Sequence, residues 1–459
     1  MYDMRYKVGV MVQCNNYKLT NNLECVRKLF VAVFYKGSKC KCKVEMALAE
    51  GRQIDKEPIK KHVEKLLKHL SLDAESLEIN SGSSRGENYM GSVAKVRAIA
   101  KDIKGNQLKF NWIVKSAFNN KSYRQTSKIE TAYEREVQIY KNIFPAFETL
   151  QQDIGIQHFF ESYPKFYYYN LDNLDEVIIL QNMNELGYKT VDRKNLLDFH
   201  HVVLVIRQYA KFHALSFVLK DRSPQIFSDL KDKCKGHYYD TYTDEELIGF
   251  GESEKKTALE CLDSLDKTLM ERTVKFIDKF RESIRNATKS DEYSVFTHGD
   301  CWINNLLFRY ANPQNPDNPT DVCFLDFQIS SVASPVLDIS YFIMANTDSD
   351  FRIKHYDFIL EEYYSCLSKS IKKLGSDPEK LYPLDVYSKH LKDYMCFGLY
   401  ITLIVVKLMV SDDEEAPDFS IATSVEEIIK MFNYEPKNLD LLQKRIRDLV
   451  RDGARFGLL

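Results

Sequence analysis

The sequence is poor in net charge. Its 64 Lys and Arg against 66 Asp and Glu leave a formal charge of -2 over 459 residues, so no global basic field argues for nucleic acid as a partner. Long apolar runs are missing too. The longest, Cys396–Val410 (CFGLYITLIVVKLMV), contains Lys407 and falls short of a membrane span, so it reads as a buried helix. The N-terminus lacks the pattern of a signal peptide, since Leu29–Tyr35 is apolar but short and sits too far in. Zinc spacing is lacking: Cys40 and Cys42 form CxC rather than CxxC, and the rest of the ten Cys are scattered. These absences lead us to expect a cytoplasmic monomer with reduced thiols, without nucleic acid or a membrane span. Asn286-Ala-Thr288 matches a glycosylation sequon, which has no meaning without secretion. No internal repeat is visible.

What is present is ordinary for a globular chain, 44% hydrophobic and 28% charged. The length suffices for two lobes or for two to three domains. Aromatic residues make up 12%, which suits a well-filled core and also an aromatic-lined pocket. Residues 1–45 hold four of the ten Cys and weak periodicity; they stay unassigned.

The chain turns on Phe296 to Gln328. Two short apolar runs, Asn305–Tyr310 and Val322–Leu325, flank a polar loop rich in Asn and Pro, which is a hairpin signature. His298, Asp300, Asn304 and Asn305 precede or open the first run, and Asp326 follows the second. Antiparallel pairing would bring Asn305 and Asp326 to one end of the hairpin, with Asp300 close by. Phosphoryl transfer needs such a set: hard oxygen ligands for Mg²⁺ and an oriented carboxylate for the acceptor hydroxyl.

Upstream, Ile59–Leu70 has the apolar spacing of an amphipathic helix, through Ile59, Val63, Leu66, Leu67 and Leu70. The glycine-bearing loop Ser81–Ser92 heads two strand-like runs, Val93–Ile99 and Leu108–Val114, with a turn at Lys104–Asn106. Such a loop lets backbone N–H groups approach phosphates; the same composition also fits an ordinary surface loop. Its candidates for nucleotide contact are Ser83, Ser84, Gly86 and Asn88. Lys115 ends the second run, and Thr126–Phe144 reads as a helix bearing Glu130, Glu134 and Glu136. A strand Lys followed by a helical Glu suggests an ion pair that holds the Lys against the phosphates of ATP. Glu136 fits best, one position from the buried stripe. Val177–Leu180 is a short buried strand that runs out into Gln181–Met183, where a linker between lobes could offer polar groups to an adenine edge.

From there the chain turns helical. Asn195–Val218 is a long amphipathic helix whose His213 reads as a satisfied core residue. Stripes follow at Leu259–Ile284, 351–372, 384–409 and 424–451. Pro335 stops one element, and Asp338 is a good N-cap or hinge. The acidic stretch Ser411–Pro417 reads as a solvated turn.

The order of these parts carries more than any one of them. GENY (Gly86–Tyr89), IVK (Ile113–Lys115), YxxExxxY (Tyr133 to Tyr140), KFHALS (Lys211–Ser216), HGDCWINNLLF (His298–Phe308) and LDFQ…DISYF (Leu325–Phe342) resemble the ecdysteroid-kinase-like family. That arthropod group is similar to choline kinases and aminoglycoside phosphotransferases. Protein kinases carry HRD, DFG and APE; here Gly299 replaces the Arg, Gln328 replaces the final Gly, and no APE segment follows. The resemblance covers about residues 75–415.

It implies an α+β, two-lobed protein-kinase-like fold. Residues 46–182 would form a small β-rich N-lobe and residues 183–459 a larger helical C-lobe. It implies ATP- and Mg²⁺-dependent transfer of the γ-phosphate to a hydroxyl of a small molecule, an ecdysteroid or a xenobiotic or dietary alcohol. Carried over by position, Asp300 is the catalytic base, Asn305 and Asp326 bind Mg²⁺, Lys115 holds the phosphates and Glu136 pairs with it. His298 bonds the backbone near Asp326, and Asp338 braces the catalytic loop. Where the family often shows Glu-Asp at the strand-to-linker position, this chain has Gln181-Asn182. Two other readings stand beside this one: a choline- or ethanolamine-type kinase, and a kinase-fold binding protein without chemistry.

Overall fold

The computed structural model describes residues 54–459 except 83–88, 235, 264–265, 313–316, 419–423 and 433. The unassigned segment 1–45 and the loop candidates Ser83, Ser84, Gly86 and Asn88 lie outside the described residues.

The N-terminal part begins with helix α1 (Lys56–His69), capped by Asp55, whose side chain accepts from the Glu57 N–H. Ile59, Val63, Leu66 and Leu67 repeat at helical spacing and are buried, while Leu70 falls past the helix end and is exposed. Strands β1 (Asp73–Ser81), β2 (Gly91–Lys101) and β3 (Gln107–Ala117) form an antiparallel meander. The chain then makes helices α2 (Lys121–Thr126), α3 (Ile129–Gln138) and α4 (Phe144–Ile154). The continuous helix expected over Thr126–Phe144 is thus interrupted. Lys128, at φ +51°, opens α3, and a single π-helical turn, Ile139–Ile143, joins α3 to α4. The π-turn buries Ile139, Tyr140 and Ile143 together. Strands β4 (Phe166–Asn170) and β5 (Val177–Gln181) complete a five-stranded sheet in the order β1-β2-β3-β5-β4.

The period-2 rule divides this sheet between two cores. Trp112, Val114, Val177 and Ile179 pack with α1. Ile178 and Leu180, on the opposite face of β5, join the large core of the helical part.

After Gln181 a short 3₁₀ turn and strand β6 (Lys189–Thr190) lead into the helices. Helix α5 (Phe199–Arg222) starts later than its apolar stripe, because Asp198 accepts from the His201 N–H and caps it. Helices α6 (Pro224–Lys233), α7 (Asp244–Cys261), α8 (Lys267–Asp278) and α9 (Phe280–Ala287) follow. The stripe read as continuous over Leu259–Ile284 is therefore cut, with Asp266 capping α8. Strand β7 (Val295–Phe296) precedes the hairpin of β8 (Leu306–Tyr310) and β9 (Pro319–Phe324). Strand β10 (Val332–Ala333) returns to pair with β7. Then come α10 (Val336–Asn346), α11 (Ser349–Lys373), α12 (Pro378–Leu381), α13 (Leu384–Val410), α14 (Val425–Phe432) and α15 (Leu439–Arg455). α5 and α13 are long and apolar enough to cross a membrane, but 78% and 72% of their most apolar windows are buried inside the protein. α13 meets α10 at Gly398, where a Cβ would lie 2.1 Å from the Ser340 carbonyl, so only glycine allows that approach.

A small antiparallel sheet with one outer helix thus joins, through a few residues after Gln181, a much larger helical body. This is the two-lobed protein-kinase-like arrangement, an α+β fold.

Candidate active site

The hairpin does what its flanking residues suggest. Leu306 pairs with Phe324, and the Leu325 N–H donates to the Asn305 carbonyl at 2.9 Å, so Asn305 and Asp326 end at the same edge. Asn305 itself belongs to a 3₁₀ turn, Ile303–Asn305, rather than to the strand. That turn lets its side-chain amide reach back and donate to Asp300 twice, to Oδ2 at 2.7 Å and to the backbone carbonyl at 3.1 Å. With its nitrogen engaged, Asn305 keeps its amide oxygen for a further partner. Asp326 sits at φ +64°, a left-handed conformation that Asp tolerates better than most residues and that turns the chain sharply after Leu325.

From the N-lobe, Lys115 on β3 places its ammonium 2.6 Å from Glu136 of α3 and 3.1 Å from Asp326. Lys115 and Glu136 are buried. Burial works against the Lys115 charge, but Asp326 and Glu136 together outweigh it and hold the amine protonated. Burial pushes Glu136 upward against the pull of Lys115. Glu130 and Glu134 do not take part in this pair; Glu130 lies 3.4 Å from Arg124 instead.

Asp338 organises the loop that carries Asp300. Its Oδ2 accepts from the His298 N–H at 2.7 Å and its Oδ1 from the Gly299 N–H at 2.9 Å. It lies in the first turn of α10, whose N-cap is Pro335, so it bonds the loop rather than capping its own helix. His213 is a satisfied core residue: its Nε2 donates to the Asp338 carboxylate at 3.1 Å, and its Nδ1 meets the Tyr363 hydroxyl at 2.8 Å. His298 Nε2 meets the Leu325 carbonyl at 2.9 Å, joining the loop to the residue before Asp326. Gly299, at φ +87°, is required here, because a Cβ would lie 2.5 Å from the Ile329 carbonyl oxygen.

The Asp300 carboxyl is raised to about 7, by burial first and by the Asp326 charge second, against hydrogen bonds from Asn305, Tyr341 and Trp302. Tyr341 Oη stands 3.4 Å from Asp300 Oδ1, and the half-buried Tyr239 phenol feels the Asp300 charge. Neither tyrosine was singled out from sequence. Tyr341 carried a usable signal, since it lies three residues after Asp338 on one helix and so shares its face.

Between the lobes is a cleft of about 990 Å³, lined by Lys115, Glu136, Asn304, Asn305 and Asp326, and by Gln181 and Met183 at the linker. The Gln181 N–H is committed to the Lys165 carbonyl at 2.8 Å and the Asn182 N–H to the Asn111 carbonyl at 3.2 Å. The acidic stretch after α13 is not a free solvated turn. Ser411 to Glu414 line the cleft as a strap. Arg193 holds the Ser411 carbonyl at 2.9 Å and Asp413 at 2.9 Å, and Lys194 holds Asp412 at 2.8 Å.

Asn305 and Asp326 offer hard oxygen donors of the kind that would suit Mg²⁺. Such an ion needs few protein ligands. The described residues include no cluster of three or more His, Cys, Asp or Glu suited to a metal.

Among solved structures, the GDP and kanamycin complex of APH(2")-IIia matches 86% of this chain and 98% of its own, at 11% identity and a TM-score of 0.42. Choline kinase LicA from Streptococcus pneumoniae matches 76% of this chain and 98% of its own, at 13% identity and a TM-score of 0.33. Spectinomycin phosphotransferase APH(9)-Ia, in complex with ADP and spectinomycin, matches 84% and 98%, at 12% identity and a TM-score of 0.32. No curated protein sequence matches the chain. The model of the ecdysteroid kinase-like family matches residues 85–376, a span holding Lys115, Glu136, Asp300, Asn305, Asp326 and Asp338, and the chain belongs to that family.

Proposed function

We propose that the chain is an ATP- and Mg²⁺-dependent kinase that phosphorylates a hydroxyl of a small lipophilic molecule, an ecdysteroid or a xenobiotic or dietary alcohol. The observation that carries this reading is the convergence of Asn305, Asp326 and Lys115 on the wall of a nucleotide-sized cleft, with Asp300 bonded to Asn305 just behind it. Asp300 orients the acceptor hydroxyl and takes its proton as the oxygen–phosphorus bond forms and the bond from the γ-phosphorus to the bridging oxygen breaks, releasing ADP. Asn305 and Asp326 would hold Mg²⁺, which, when bound, neutralises charge on the phosphate oxygens. Lys115, kept in place by Glu136, contacts the phosphates. For the adenine, the linker has the Met183 side chain to offer on the cleft wall, since the Gln181 and Asn182 N–H groups and the Asn182 and Met183 carbonyls are already bonded. The lipophilic acceptor class rests on membership of the ecdysteroid kinase-like family.

Purified protein incubated with γ-labelled ATP, Mg²⁺ and a panel of steroids, plant glycosides and choline tests this. Label transferred to a steroid or glycoside alcohol is the expected result. Transfer to choline alone would move the acceptor to the cationic class. ATP binding with no transfer to any compound would favour a binding protein.

A further inference from the structure

A second, smaller cavity lies between α10, the start of α11, α13 and α15, with a volume of about 140 Å³. Its wall is mostly apolar, from Met344, Val406, Met409, Leu441 and Leu449. Arg445 of α15 also lines it and is only 8% exposed. One terminal nitrogen, Nη2, donates to the Lys194 carbonyl at 2.7 Å. Its Nε and Nη1 are buried and have no hydrogen-bond partner among the described residues. Leaving charged donors buried and unmatched is costly, and burial, with Arg352 beside it, outweighs the Asp348 charge and pushes the Arg445 pKa down to about 10. The other cations on this wall are already matched: Arg352 bonds Asp452 at 2.9 Å and Lys444 bonds Asp448 at 2.7 Å. Asp348 caps α11 by accepting from the Phe351 N–H at 2.7 Å.

We propose that this cavity is a binding site for a small organic carboxylate with a compact apolar body, the carboxylate on Arg445 and the body against the Met and Leu wall. Its volume matches that of cavities of about 150 Å³ that take up benzene. A neutral apolar guest would leave the two Arg445 donors unmatched, and water alone would leave the apolar wall wetted. A carboxylate takes two parallel hydrogen bonds from one edge of the guanidinium, pairing one of the two unmatched nitrogens with the hydrogen of Nη2 that the Lys194 carbonyl leaves.

The cavity is tied to the interlobe cleft. Arg445 holds the carbonyl of Lys194, whose ammonium holds Asp412 of the strap. Met409, on the cavity wall, stands two residues before Ser411, where the strap begins. Occupancy therefore couples to nucleotide affinity, and the coupling is reciprocal.

Calorimetric titration of the full chain with benzoate, and with benzyl alcohol as a neutral compound of similar shape, tests the site without reference to catalysis. Benzoate is expected to bind at least about tenfold more tightly than the alcohol. Arg445→Met should abolish this binding, Arg445→Lys should keep part of it, and Ala345→Leu, which fills the cavity and leaves the guanidinium, should abolish it. Saturating benzoate should shift the ADP dissociation constant by about fivefold or more in the wild type and not in Ala345→Leu. Equal binding of the two compounds, or no benzoate binding up to about 10 mM, where a usable site would show, overturns the proposal. So does benzoate binding that survives both Arg445→Met and Ala345→Leu. Benzoate binding with no change in ADP affinity overturns the coupling. The wild-type comparison of the two compounds decides the site even where a variant does not fold.

Discussion

The Lys115 ammonium of the N-lobe lies 3.1 Å from the Asp326 carboxylate of the C-lobe hairpin. Glu136 holds the same ammonium from the other side at 2.6 Å. β3 and α3, close in sequence, therefore meet the distant end of the hairpin at one buried cation.

Removing that cation should cost stability as well as activity. Lys115→Met leaves Glu136 buried without its partner, and breaking a buried pair from one side costs about 3–5 kcal/mol. In Lys115→Met/Glu136→Leu the orphaned charge is gone, so the double variant should be more stable than the Lys115 variant alone. Urea unfolding of the wild type, Lys115→Met, Glu136→Leu and the double variant measures this. Single effects that add to within about 0.5 kcal/mol would show that the two residues are not coupled.

Asp338 offers one acceptor oxygen to each of two backbone N–H groups, at His298 and Gly299. Asp338→Asn keeps a single oxygen and turns an NH₂ against the other donor. One buried N–H is then unmatched, at about 1–3 kcal/mol. The loop shifts with it, and misplacing Asp300 by about 1 Å lowers kcat by about 10²-fold. Measured nucleotide affinity should change little by comparison. A kcat equal to wild type would remove the bracing role.

Acid should weaken the anchor of the segment leading into α10. Asp291 faces His390 at 3.2 Å, and His390 in turn bonds Ser334 at 2.8 Å. Burial opposes the Asp291 charge, but bonds from His390 and Ser294 outweigh it and lower its pKa to about 2. A depressed carboxyl contributes its stability above the ordinary Asp pKa of about 3.9 and loses it as pH falls toward 2. Asp291→Asn should therefore be less stable than wild type at neutral pH, and the gap should close between about pH 4 and 2. The side chain is 41% exposed, so the gap is small. A stability difference constant across that range would contradict the assignment.

The parts that could be read from sequence are those with short spacing and unusual chemistry. The hairpin ends, Lys115 with Glu136, and the run from His298 to Asn305 are of this kind. The parts that could not be read depend on distant partners. β1 escaped notice because it is an edge strand with one buried residue in nine, Ile79, and so shows little alternation. β4 has no fully buried position at all. The strap at Ser411 to Glu414 looked like a solvated turn because its anchors, Arg193 and Lys194, are 218 residues away in sequence. The π-turn at Ile139–Ile143 left no mark, since its residues continue the apolar stripe of the helix around it. Asp338 has the residue type of a cap, but its carboxylate is taken by a loop formed 40 residues earlier.

The central claim is that Asp300 acts on the acceptor hydroxyl while the nucleotide is held by other residues. Single-turnover phosphate transfer by Asp300→Asn, alongside its Mg²⁺·ATP dissociation constant, tests it most directly. The account predicts transfer slowed by about 10²-fold or more with nucleotide affinity close to wild type. Transfer at the wild-type rate would contradict it.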